Sequence, residues 1–76
     1  MINVRKLKSV LILKEISQQD LAYNLGISKQ ALNYKINGRT PFKVSEILKI
    51  QKLLKLSKEE RDNIFFDYRV GKEPTK

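Results

Sequence analysis

The sequence predicts an all-α fold, a compact domain of five short helices. Apolar residues recur at spacings of three and four, serines stand where helix caps are expected, and strand-type alternation is essentially missing. The 76 residues are enough for one small domain with a single core. We expect residues 1–68 to form this domain and residues 69–76, which are polar and include a proline, to form a frayed tail.

The first predicted helix follows Asn3, a suitable N-cap, and extends to Lys14. Its apolar positions are Val4, Leu7, Val10, Leu11 and Leu13. This apolar side is wider than one buried face requires. We therefore expect one of the last two leucines to be exposed or to meet a partner.

Capping residues also delimit the second and third helices. Ser17 and Asp20 resemble a capping box, and Gly26 suits the left-handed position that ends a helix. Ser28 caps the third helix, which ends at Asn37-Gly38. The predicted inward residues are Leu21, Ala22, Leu25, Ala31, Leu32 and Ile36. The predicted outward residues of the third helix are Lys29, Gln30, Asn33, Tyr34 and Lys35.

A fourth helix is predicted from about Val44 to Leu54, after a connection in which Phe42 folds back into the core. Its predicted inward residues are Val44, Ile47, Leu48, Ile50 and Leu54. Ser57 and Glu60 form a capping box that opens the fifth helix. Phe65 and Phe66 are adjacent near its end, so only one of them is expected to enter the core.

The charge is distributed unevenly, which favours a polyanionic partner for most of the chain. The net charge is +8; residues 1–56 contain 11 basic and 3 acidic side chains, whereas residues 57–76 contain five of each. Phosphate groups are natural partners of such a basic region. The alternative is a basic surface that only confers solubility.

Several classes of protein are disfavoured by what the sequence lacks. Cysteine and histidine are absent and no glycine-rich phosphate loop is present, so we predict no enzyme, metal site or cofactor. The longest apolar run, Val10 to Leu13, is far too short to cross a bilayer. We expect a cytoplasmic protein with neither a membrane nor a small-molecule substrate as partner.

The second and third predicted helices, with the turn between them, form a pattern typical of DNA binding. A glycine turn with the small Ala22 at the helix crossing permits a steep angle, and the second helix of such a pair enters the major groove. The order of residues resembles the helix-turn-helix domain of the phage repressor and Cro-like group (lambda-repressor-like, XRE-type). The matching residues are Gln18, Leu21-Ala22, Leu25-Gly26-Ile27-Ser28, Leu32, Ile36-Asn37-Gly38, Pro41-Phe42, Glu46-Ile47, Leu53-Leu54, Leu56-Ser57 and Ile64-Phe65-Phe66.

This resemblance implies a transcriptional regulator, a Cro or short repressor from a phage or prophage, that binds a palindromic double-stranded operator. It also implies a homodimer, formed either in solution or only on the DNA. By the same resemblance the base-contacting residues are Lys29, Gln30 and Asn33, and those that contact the DNA backbone include Gln18, Asn37 and Arg39. Two positions depart from the family pattern: Lys14-Glu15 stands where a glycine is common, and Lys43 where serine or threonine is common.

The residue chemistry agrees with these roles. Gln30 or Asn33 can form paired hydrogen bonds with adenine, and Lys29 can donate to guanine. Lys43 and Tyr34 are further candidates for the DNA backbone, although Tyr34 is equally consistent with surface packing. The candidates for a dimer interface are Ile64, Phe65, Phe66 and Tyr68.

Two other functions are alternatives to DNA binding. The first is an antirepressor or antitoxin-like protein that uses the same fold to bind another regulator, which exposed aromatic side chains after Ile64 would favour. The second is a basic amphipathic helix, Arg5 to Lys14, lying on a membrane. The apolar face of that helix is better used as core, which disfavours the membrane hypothesis.

Overall fold

The computed structural model describes residues 2–66 and has the all-α architecture that the sequence predicts. Within these residues there are five helices and no strand. The helices are α1 (Val4–Leu13), α2 (Gln18–Leu25), α3 (Lys29–Ile36), α4 (Val44–Leu54) and α5 (Lys58–Phe65). The predicted bounds of α4 are confirmed, and Asn3 and Lys14 are the caps of α1. The predicted tail, residues 69–76, lies outside the described residues.

Three helices begin at a serine cap, as predicted. Each serine hydroxyl accepts a hydrogen bond, 3.0 Å long, from the backbone N–H three residues ahead; the serines are Ser17, Ser28 and Ser57. In two cases an acidic residue completes a capping box. The Asp20 carboxylate accepts from its cap's N–H at 3.4 Å, and the Glu60 carboxylate does so at 2.8 Å. These reciprocal bonds satisfy N–H groups that the helix itself leaves unpaired, so they fix where the helices start.

The five helices surround one apolar core. α2 packs against α3 and α4, and α5 packs against α4 and α1. The buried apolar residues are Leu7, Leu11, Leu21, Ala22, Leu25, Leu32, Ile36, Ile47, Ile50, Leu54, Leu56, Ile64 and Phe65. Phe42 is half-buried against this core, and its ring meets the edge of the Phe65 ring with 5.3 Å between centroids. The predicted inward position of Phe42 is confirmed.

The N-terminus of α1 and the end of α5 are joined directly. The Asn3 N–H donates to the carbonyl oxygen of Ile64 at 2.6 Å, while the Asn3 side chain caps α1. The Arg61 guanidinium donates to the Gln51 side chain at 3.1 Å and connects α5 to α4. No helix in the described part of the chain is long and apolar enough to cross a membrane.

In the turn between α1 and α2, where the family pattern commonly has a glycine, Glu15 adopts the left-handed conformation with φ of 59°. The turn therefore keeps the geometry that a glycine favours, and a residue with a Cβ adopts it at some cost in strain. Lys55, after α4, adopts the same region with φ of 55°. In both turns the chain reverses because one residue other than glycine accepts positive φ.

The structure corrects three predicted orientations. Val44 and Leu48 were expected to face the core, but 71% and 50% of their surfaces are exposed. The buried face of α4 instead includes Glu46, which is only 7% exposed. Lys35 was expected to face outward and is half-buried. In α1, Leu11 is buried and Leu13 is 79% exposed, so Leu13 is the one of the last two leucines that lies at the surface, as expected of one of them.

Candidate nucleic-acid interface

The turn between α2 and α3 fixes the start of α3. Gly26 ends α2 with φ of 73° and ψ of 27°, and the Ile27 N–H donates to the Ala22 carbonyl at 3.0 Å. Ala22 is buried and small, so it lets the two helices approach closely. The Ser28 cap then starts α3 at Lys29. Together, α2, residues 26–28 and α3 form a helix-turn-helix unit.

One side of α3 is buried and the other is polar and exposed. Leu32 and Ile36 are in the core, and Ala31 is half-buried beside them. The three predicted base-contacting residues all lie on the exposed side: Lys29, Gln30 and Asn33. The helix therefore presents one ammonium group and two amides at the surface within its first five residues.

Tyr34 connects a residue inside α3 to one beyond its end. Its hydroxyl accepts a hydrogen bond from the Gln30 amide at 2.9 Å. The Arg39 guanidinium lies over the Tyr34 ring, 5.0 Å from its centroid, which is within the range of cation–π attraction. The Arg39 N–H also donates to the Tyr34 carbonyl at 2.8 Å. All three residues are candidate DNA contacts by sequence, but their contacts with one another are not predicted by it.

A second amide pair lies on the same surface. The Asn37 side-chain amide donates to the carbonyl oxygen of the Asn33 side chain. Asn33 and Asn37 are four residues apart, as are Gln30 and Tyr34, and this spacing brings side chains together on a helix. The spacing was therefore a signal from which both contacts could have been predicted.

The end of α3 is attached to the start of α4 by a charged pair that the sequence does not predict. The Lys35 ammonium lies 3.0 Å from a carboxylate oxygen of Glu46, and the two side chains are 12% and 9% exposed. The same ammonium donates to the Pro41 carbonyl at 3.2 Å. The Glu46 carboxylate also accepts from the Lys43 N–H at 2.8 Å. These bonds hold the connection between the two helices.

The ionisation of Glu46 follows from these contacts. Burial by itself raises the pKa of this carboxyl group. The Lys43 N–H and the hydrogen bond and charge of Lys35 outweigh that effect, so the pKa of Glu46 lies below its ordinary value of 4.5. The group is therefore a carboxylate at neutral pH.

Lys43 is exposed and occupies the N-cap position of α4. An ammonium group has no acceptor, so Lys43 cannot cap the helix with its side chain. Only the second half of a capping box is formed, through Glu46.

The remaining predicted backbone contact, Gln18, is the first residue of α2 and is half-buried. The Ser17 cap pairs with the N–H of Asp20, and no described residue accepts from the N–H groups of Gln18 and Gln19. Such N–H groups at a helix start suit a phosphate oxygen, although the nearby Asp20 carboxylate weakens the local positive potential.

The predicted dimer contacts divide into two groups. Ile64 and Phe65 are buried in the core of their own chain, so their side chains have no surface left for a second molecule. Phe66 is 39% exposed and lines an open groove of about 620 Å³ with Ile2 and Pro41. Tyr68 lies outside the described residues. The pair of phenylalanines thus behaves as expected, with one inside the core and the other at the surface.

Fold and surface together define an all-α five-helix domain in which α3 presents a polar face without acidic side chains. A family model described as "Protein of unknown function (DUF739)" matches residues 2–68. The chain therefore belongs to the DUF739 family. No curated protein matches the sequence.

Proposed function

We propose that this protein is a sequence-specific DNA-binding transcriptional regulator of the Cro or short-repressor type. The observation that supports this most is the exposed face of α3, where Lys29, Gln30 and Asn33 follow a turn fixed by caps on both sides. In addition, residues 21–45 contain four basic side chains and no acidic one. A cationic surface with long amide side chains is suited to a phosphate-lined groove.

In this proposal α3 enters the major groove and its first five residues contact the bases. Gln30 and Asn33 each offer an amide that can donate to adenine N7 and accept from adenine N6. Lys29 donates to guanine O6 and N7. Each good contact distinguishes the correct base from others by roughly 1–3 kcal/mol.

The phosphate contacts surround the base contacts. Arg39, Asn37 and Lys43 are exposed after the end of α3, and Gln18 lies at the start of α2. Tyr34 can donate its hydroxyl proton to a phosphate oxygen while the hydroxyl oxygen accepts from Gln30. These contacts set affinity and register, whereas the base contacts set sequence preference.

We further propose that two copies bind a palindromic operator whose half-sites are about one helical turn, ~34 Å, apart. With Ile64 and Phe65 in the core, the described surface residue that remains as a dimer candidate is Phe66. The dimer forms in solution or on the DNA. Sedimentation with and without the operator separates these two cases.

Selection of binding sites from a random DNA pool tests the proposal. We expect one enriched palindrome and an affinity that falls steeply with salt. The double substitution Gln30→Ala with Asn33→Ala should abolish the preference, whereas Asn63→Ala, at an exposed position of α5, should preserve it. Wild-type protein that enriches no sequence would refute sequence-specific binding.

The phosphate contacts have a separate test. The substitution Arg39→Ala should weaken binding to all sequences alike and reduce the slope of log affinity against log salt by about 0.9 per protomer. Lys52→Ala, which removes an exposed cation of α4, is the matched control and should change the slope less. Equal effects of the two variants would indicate a general field rather than a contact at Arg39.

We also propose a second candidate function, in which the protein binds another regulator, because large apolar side chains outside α3 are exposed. Ile12 and Leu13 lie at the end of α1, and Tyr23 lies on α2. An antirepressor or antitoxin-like protein would use such side chains to hold another regulator. The double variant Gln30→Ala with Asn33→Ala distinguishes the two: DNA binding should fall and partner binding should survive. A pull-down that recovers only nucleic acid and the protein itself would contradict this alternative.

A further inference from the structure

The inference concerns Tyr34, which contacts both a proposed base-reading residue and a proposed phosphate-contacting residue. Its hydroxyl accepts from the Gln30 amide at 2.9 Å, and its ring lies under the Arg39 guanidinium at 5.0 Å. Tyr34 is partly exposed. Both of its partners are exposed as well, so these contacts lie at the surface that faces DNA in the proposed function.

The chemistry of the Gln30 amide gives this contact a consequence. A glutamine side chain has two N–H donors and one carbonyl oxygen. Paired bonds with adenine use the oxygen and the N–H on the same side of the amide as that oxygen. The other N–H points away from the oxygen and is free to donate to a neighbour. A bond from that N–H to Tyr34 therefore leaves the adenine-binding edge of Gln30 available.

The same bond limits the freedom of Gln30. A free glutamine side chain loses considerable rotamer entropy when a contact immobilises it. Its amide can also rotate by half a turn and present the donor where the acceptor should be. A hydroxyl can donate or accept, but one whose proton goes to a phosphate oxygen can only accept from Gln30. It then favours one orientation of the amide, and such preorganisation improves discrimination between bases.

We propose that Tyr34 is a positioning residue for specificity: it orients Gln30 for adenine and couples that orientation to Arg39. This rests on the proposed function. Tyr34 then acts through Gln30 on one base position of each half-site, and through Arg39 on the adjacent phosphate. It does not need to touch a base itself.

The contact is a poor candidate for a purely structural role. Exposed side-chain pairs at this spacing change helix stability only slightly. Loss of the hydroxyl should therefore leave folding intact, so an effect on base preference can be separated from an effect on stability.

The substitution Tyr34→Phe tests the proposal, because it removes the hydroxyl and retains the ring beneath Arg39. Binding sites are selected for the wild type, Gln30→Ala, Tyr34→Phe and the double variant. The position at which Gln30→Ala loses preference identifies the base that Gln30 reads. At that position Tyr34→Phe should lower the preference for adenine by roughly 2–10-fold, the size of one hydrogen bond. Preference elsewhere, the melting temperature and the salt dependence should stay at wild-type values.

Two further variants make the test specific. Tyr34→Phe should have no additional effect on base preference when Gln30 is already alanine, since the hydroxyl then has no amide to orient; the lost phosphate contact lowers affinity for all sequences alike. Tyr34→Leu, which also removes the ring, should weaken affinity for all sequences through Arg39. If Tyr34→Phe keeps the wild-type base preference, or loses base preference equally at every position, the inference is overturned and the proposed function stands. A wild-type protein without sequence preference would overturn both.

Discussion

Replacement of Lys35 by methionine should destabilise the domain by about 3 kcal/mol. Methionine preserves the length and apolar stem of the side chain but removes its charge. The Glu46 carboxylate, only 9% exposed, would lose its cation at 3.0 Å and retain one hydrogen bond from the Lys43 N–H. The Pro41 carbonyl would lose its donor as well.

The magnitude follows from the burial of the pair. Removal of one partner from a buried ion pair costs about 3–5 kcal/mol, because the other charge stays in a poorly solvated site. The lower end applies here, since both side chains keep some exposure and Glu46 keeps a backbone donor. For a domain of this size, about 3 kcal/mol corresponds to a decrease of roughly 12–24 °C in melting temperature.

Urea unfolding followed by circular dichroism at neutral pH measures the effect. Lys52→Met is the matched control, because this α4 lysine is exposed, and it should change stability by less than about 0.5 kcal/mol. The double variant Lys35→Met with Glu46→Gln should recover part of the loss, since no buried charge is then unpaired. A Lys35→Met protein as stable as the control would refute the reasoning and show that the pair does not hold α3 against α4.

Four further predictions concern single substitutions in the turns and caps. Because the pKa of Glu46 is lowered in the folded protein, its carboxylate stabilises the fold at pH above the ordinary value of 4.5, and this stabilisation is lost as the pH falls through the folded-state pKa. Glu46→Gln should therefore make the free energy of unfolding in urea less sensitive to acid. Gly26→Ala should lower the free energy of unfolding by about 1 kcal/mol, because φ at this position is 73°, although no atom lies within 4 Å of the added Cβ. Glu15→Gly should raise the free energy of unfolding by about 0.5 kcal/mol, because it relieves the same kind of strain. Lys43→Ser should supply the missing N-cap and raise stability by about 1 kcal/mol in thermal unfolding while weakening DNA binding; unchanged binding would contradict the phosphate contact.

The helix starts could be predicted because their causes lie within four residues of sequence. Ser17 with Asp20, and Ser57 with Glu60, form both bonds of a capping box from neighbouring side chains. Gly26 likewise ends α2 through its own positive φ. None of these features depends on which distant residue packs nearby, so a single sequence contains the necessary information.

The buried face of α4 could not be predicted in the same way. Apolar periodicity favoured Val44 and Leu48 as core residues, yet the core extends over the side occupied by Ile47 and Ile50. Burial of Glu46 is compatible with its charge because Lys35, eleven residues earlier on another helix, supplies a cation at 3.0 Å. The periodicity of one helix does not indicate which of its polar residues will find such a partner.

The candidate site shows the same division between local and tertiary information. Exposure of Lys29, Gln30 and Asn33 follows from their placement opposite Leu32 and Ile36, so the sequence could predict it. The contact between Tyr34 and Arg39 depends on how the chain turns after α3. That turn is fixed by the Arg39 N–H bonded to the Tyr34 carbonyl, which is a backbone feature that residue types alone do not specify.

Lys43 breaks a local rule at the start of α4, although its charge favours the buried Glu46 carboxylate. At the N-cap of α4 a serine or threonine would accept a hydrogen bond, and lysine cannot. Its positive charge also lies at the helix start, where the helix dipole disfavours cations. Natural sequences accept such local costs mainly at functional positions. An exposed lysine at an N-cap, in the same connection as Arg39, is consistent with the phosphate contact proposed for it. If Lys43→Ser is more stable than the wild type and binds DNA more weakly, one variant will show both the stability that the lysine costs and the DNA affinity that it provides.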